Sequence, residues 1–169
     1  KVFWDRLNGP NFMTDALLAG KVDYVSGGVP GLITLWEKTI GTPLEVRGVS
    51  ALSSQPFLLN SRSPNIKSIR DFTDKDRIAL PSIKTSVQAV TLQMAAAKEW
   101  GWDQRFRLDP LTISVSNPDG MAAMLSGGTE IKNHYTIVPF STIEEESGKV
   151  HRVMTSDEYM TPGSSGSVM

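Results

Sequence analysis

Around residue 80 the spacing of apolar positions changes from a strand pattern to a helix pattern. Arg77-Ile78-Ala79-Leu80-Pro81 is a short apolar run closed by a proline, which predicts a buried strand. Beyond Ser82-Ile83, the residues Val87, Val90, Thr91, Met94 and Ala97 recur at three-to-four spacing. They predict a helix to about Trp100 with that face buried. Thr85 or Ser86 is the natural N-cap, because a hydroxyl there can accept from a first-turn amide. Upstream, Ser54-Gln55-Pro56-Phe57-Leu58-Leu59-Asn60 reads as extended and apolar, and Ser63-Pro64-Asn65 ends it in a turn.

A larger pattern occurs twice. Ala16-Leu17-Leu18-Ala19-Gly20-Lys21-Val22-Asp23 runs from an apolar helix end, through a glycine suited to the C-cap, to an acidic residue entering a strand. Ala123-Met124-Leu125-Ser126-Gly127-Gly128-Thr129-Glu130 does the same. A strand and an Asn-containing break precede each: Val2-Phe3-Trp4 with Asn8-Gly9-Pro10, then Thr112-Ile113-Ser114-Val115 with Asn117-Pro118-Asp119. Val29-Pro30 and Val138-Pro139 then open a helix, with proline near the tolerated first turn. Leu44-Glu45-Val46-Arg47 and Val150-His151-Arg152-Val153 supply a closing strand. All βαβ units resemble one another, so the matched order carries the inference of two related α/β lobes, not either octamer alone.

Composition acts mainly by exclusion. The 169 residues are 40% hydrophobic and 21% charged, enough for a true core in one domain or two small ones. A net charge of −1 without long like-charged blocks points away from nucleic acid and anionic membranes. The longest acidic run, Glu144-Glu145-Glu146, reads as a solvated helix face. Cysteine is absent, which removes disulfides, thiolate metal sites and a cysteine nucleophile, and suits an oxidising compartment. No apolar stretch reaches the roughly 20 residues of a membrane span, so direct insertion is not expected. The chain opens strand-like, without initiator methionine or signal peptide, and reads as a fragment. There is no phosphate-binding Gly-rich signature, no Gly-x-Ser-x-Gly elbow and no metal constellation. His151 has no acidic or histidine neighbour at metal spacing. No metal, cofactor or catalytic residue is assigned.

Four segments taken in order resemble the nitrate/sulfonate/taurine and thiamine-precursor group of ABC-transporter solute-binding proteins. They are Asp15 to Asp23, Ser68-Ile69-Arg70-Asp71-Phe72, Ile78-Ala79-Leu80-Pro81 with Lys84-Thr85-Ser86, and Asp119 to Gly127. The resemblance implies an α/β, type II periplasmic-binding-protein-like fold: two α/β lobes joined by a two-strand hinge, with lobe one incomplete. Residues 1–56 would form partial lobe one, 57–155 lobe two, and 156–169 the start of a return crossing. It also implies a periplasmic or extracytoplasmic protein, monomeric when full length, that is not an enzyme. Such a protein captures a small polar or anionic organic solute and docks transiently on ABC permease subunits. Two alternatives stay open: an enzyme on the same fold, of thiamine-pyrimidine synthase or desulfinase type, and an effector-binding domain of a regulator. The enzymes carry cysteines near the site; the regulator needs an adjoining DNA-binding or kinase segment. Neither feature is in this sequence.

Candidate ligand residues follow from the rule that open α/β sheets bind ligands beyond the carboxyl ends of their strands. Loops there lead into helix N-termini, whose free N–H groups attract anions and oxygens. Lobe one offers Ser26, Gly27 and Gly28, where glycine lets a ligand approach the backbone, or which form only a tight turn. Lobe two offers Lys84, Thr85 and Ser86, with capping as the plainer role of the two hydroxyls, and Asn117, equally suited to be an N-cap. Trp4 could stack on a ligand above the Asn8-Gly9 loop, although aromatic residues are core by default. Ser54 stands at the start of the crossing, and His134 with Tyr135 could line the cleft from a strand end.

Overall fold

The computed structural model describes residues 1–7, 9–160 and, as backbone only, 166–168. Asn8 and the turn-rich stretch 161–165, where the return crossing is expected to begin, lie outside the described residues. In chain order the elements are α1 (Pro10–Leu18), β1 (Gly27–Gly28), α2 (Val29–Thr39), β2 (Ala51–Ser54), β3 (Leu58–Ser61), β4 (Ile78–Leu80) and α3 (Val87–Trp100). They continue as β5 (Thr112–Ser114), α4 (Asn117–Ser126), β6 (Asn133–Thr136), α5 (Phe140–Glu146), β7 (His151–Thr155) and β8 (Gly166–Val168).

The larger sheet has the order β5-β4-β6-β3-β7. Its β4 runs parallel to β5 and β6, while β3 is antiparallel to β6 and β7. Strand alternation sorts its residues between two layers. Leu59, Ile78, Leu80, Tyr135 and Met154 join one core with Val87, Leu92 and Ala95 of α3. His134 and Thr136 point to the opposite face, where α4 and α5 lie against β6 and β3. Burial on both sides is why Ile78-Ala79-Leu80 carries no polar residue. A second, smaller sheet has the order β1-β8-β2, with both pairings antiparallel.

Several expectations need correction. The buried residues of α3 are Val87, Gln88, Ala89, Thr91, Leu92, Ala95 and Ala96, so Val87 and Thr91 of the predicted face are buried while Val90, Met94 and Ala97 are not. The fully buried pair Ala95 and Ala96 lets the helix settle close to the sheet, while the longer Met94 turns outward. Val2-Phe3-Trp4 forms no strand, because no neighbouring strand pairs with it, and its side chains stand in solvent. Leu44 to Arg47 is a loop as well: the Val46 amide donates to Thr39 Oγ1 (3.1 Å) and the Gly41 amide to Glu45 Oε2 (3.0 Å). The Val46 bond occupies a backbone donor that a strand ladder would need. In the acidic run, Glu144 faces inward and is fully buried, not solvated.

Candidate ligand cleft

Two of the helices that follow strands, α3 and α4, start with a serine cap from their own loop. The Ser86 hydroxyl, almost fully buried, accepts from the Ala89 amide (3.2 Å) and donates to the Ser82 carbonyl (2.7 Å). Ser116 caps α4, accepting from the Asp119 amide (3.3 Å) and donating to Asp119 Oδ2 (2.5 Å). Asn117 is therefore the first helical residue, not the cap, and its Oδ1 accepts from Thr136 Oγ1 (3.0 Å). Gly28 caps α2 in an extended conformation, with proline in the first turn. A side chain at Gly28 would run into Val87 Cγ2, so only glycine lets the starts of α2 and α3 approach this closely.

The three helix starts open into one cleft of about 700 Å³, within the usual range for small-molecule sites. Its polar edges are Ser26 to Gly28, Thr85 to Gln88, and Ser116 to Pro118. Aliphatic side chains from α1 and α2, including Met13, Leu17, Leu32 and Leu35, form the opposing wall. The two sides touch where Gly9 packs on the Pro81 carbonyl and Thr85 Oγ1 donates to Asn11 Oδ1 (3.3 Å). First-turn amides of each helix have no acceptor within the helix, so Val87 and Gln88 present donors to the cavity. Arg47 pairs with Glu45 (2.9 Å), whose carboxyl is held below its usual range first by the Gly41 amide and then by Arg47. Arg6, also in the wall, faces no carboxylate among the described residues.

Of the residues singled out from the sequence, Gly9, Ser26, Gly27, Gly28, Thr85, Ser86 and Asn117 line this cleft together. The others do not. Trp4 is 83% exposed, outside the cavity, because its segment pairs with no strand. Ser54 sits on exposed β2, away from the lining. Tyr135 is turned into the α3 side of the core and fully buried, and burial pushes its hydroxyl well above the ordinary phenol range. His134 points to the opposite face of the sheet, equally buried, against Glu144. Lys84 is exposed beside the cleft, not within its wall. Sequence reasoning missed Arg6, Asn11 and Ser116; the last had a signal in Ser116-Asn117-Pro118-Asp119, a capping pattern.

Lys84 has φ +66°, the left-handed region that costs an L side chain about 1–2 kcal/mol. Lys84→Gly removes that strain at the cost of a looser unfolded chain. A net gain of about 0.5–1 kcal/mol is expected in urea denaturation; a loss would mean the lysine side chain supplies a compensating contact.

No family model matches the sequence, and no curated protein matches it. Solved structures do. The chain superposes on the alkanesulfonate-binding protein SsuA from Xanthomonas axonopodis pv. citri bound to MOPS, with a TM-score of 0.69 and 16% identity. That match covers 99% of this chain and 54% of the other. The fold is that of a periplasmic binding protein. The ligand-binding component of an ABC-type import system from Staphylococcus aureus with zinc bound gives a TM-score of 0.63 at 18% identity, covering 96% and 52%. The periplasmic aliphatic sulphonate binding protein SsuA from Escherichia coli gives 0.57 at 16%, covering 99% and 54%. The chain thus spans about half the length of these periplasmic-binding-protein structures. Among the described residues no helix is long and apolar enough to cross a membrane.

Proposed function

We propose that this chain is the ligand-binding part of an extracytoplasmic solute-binding protein serving an ABC import system. The observation that carries this reading is the cleft itself, where three helix starts face an aliphatic wall. Amide donors suit a polar or anionic head, and the wall suits a short carbon chain. Residues 1–56 would then be part of lobe one and 57–155 lobe two, with ligand held between them. One neighbour of the same fold is named as the ligand-binding component of an ABC-type import system and two as sulfonate-binding proteins, which supports capture without turnover and a permease as the transient partner.

The test is titration calorimetry with MOPS, taurine, nitrate and straight-chain alkanesulfonates, followed by small-angle scattering. At least one of these solutes is expected to bind at one site, unconsumed after prolonged incubation, with a smaller radius of gyration in its presence. Repeated turnover of a bound solute, or tight binding with no contraction, would count against the reading.

A further inference from the structure

We propose that His134 is a positioning residue for the α4 start in the cleft, acting through Gly120; this rests on reading the cleft as the solute site. Strand β6 sends His134 and Thr136 to the same face, two residues apart. Helix α4 sets Asn117, Gly120 and Met124 against that side, a stripe at helical spacing. Thr136 Oγ1 holds Asn117 by its Oδ1 (3.0 Å). The seat at Gly120 is steric: a β-carbon there would lie 2.7 Å from His134 Cδ2 and Cε1 and overlap Nε2.

The imidazole cannot swing aside. Its Nδ1 lies 2.6 Å from Glu144 Oε1 of α5, and Glu144 Oε2 accepts from Asn60 Nδ2 (3.0 Å). Asn60 is in turn the cross-strand partner of His134. All three side chains are fully buried. Two atoms of this network, His134 Nε2 and Asn60 Oδ1, have no partner among the described residues. Apolar side chains would pack a helix on a sheet with no such cost, so the network is not explained by stability alone. A braced ring does give something a leucine lacks: a fixed stop against the helix backbone, one turn behind the part of α4 that lines the cleft.

The test pairs Gly120→Ala with the double variant Gly120→Ala/His134→Asn, whose shorter side chain leaves room for the added methyl. Amide hydrogen exchange is followed at the first turns of α4 and α3, and calorimetry uses MOPS as probe. With no neighbour in the way, Gly to Ala inside a helix slows exchange. The expected result is the opposite: faster exchange at α4 only, MOPS bound about tenfold more weakly, and recovery of both in the double variant. Unchanged, slower or uniformly faster exchange across both helices, or no recovery, overturns the assignment. Should Gly120→Ala not fold, His134→Asn alone, which leaves Gly120 without its stop, is judged by the same comparison of α4 with α3. If the unaltered protein takes up no MOPS, the cleft reading loses that solute, while the exchange pattern still decides whether His134 seats α4.

Discussion

Glu144→Leu is expected to cost about 2–6 kcal/mol of stability, because it strands two buried donors at ~1–3 kcal/mol each. Asn60 Nδ2 and the His134 Nδ1 side of the ring both end on this carboxylate, and neither reaches water. Leucine has the right bulk for the space, so the loss reports the missing acceptor oxygens and not a cavity. Glu144→Gln keeps one acceptor and should lose less. Urea denaturation measures both, and a constant slope shows that the unfolded reference has not moved. A loss below about 1 kcal/mol for the leucine variant would mean that the two donors find other partners.

The position of Glu144 also shows where sequence reading stops. In a run of three glutamates, local pattern assigns every member to solvent, yet Ser141 and Glu144 are the buried residues of α5. The information that turns Glu144 inward sits elsewhere in the chain: Asn60 is 84 residues away, on the strand β3 that α5 packs against. His134 was equally opaque, because alternation along β6 says that neighbours face opposite ways but not which way is the cleft. By contrast β4 and α3 were legible, since an apolar run, a hydroxyl cap and a 3.6 period are properties of one short segment. The edges of the cleft were legible for the same reason. Gly28, Thr85 and Asn117 all follow strand ends, and strand ends are local. Its aliphatic wall was not. Met13, Leu17, Leu32 and Leu35 recur at helical spacing, which signals burial against something without saying whether that is core or ligand. Trp4 erred the other way: a strand-like triplet becomes a strand only where another pairs with it.

Thr85→Ala/Ser86→Ala is expected to weaken solute binding at least about tenfold, because it disturbs the start of α3 in two ways. Ser86 orients the first turn through the Ala89 amide and Ser82 carbonyl, and Thr85 ties that turn to α1 through Asn11. One hydrogen bond from this turn to a charged head contributes about 1.5–3 kcal/mol, so partial misalignment of two amides already reaches that factor. The same change removes a helix cap worth about 1 kcal/mol, and affinity must therefore be read on protein shown to be folded. Lys84→Met is the matched control. Lys84 is exposed and lies outside the lining, and exposed charges contribute little to an ion pair, so an anionic solute should keep its affinity within about threefold. If the double alanine variant binds as tightly as the unaltered protein while Lys84→Met loses affinity and salt dependence, the head group sits against the lysine, and the helix start is not what holds it.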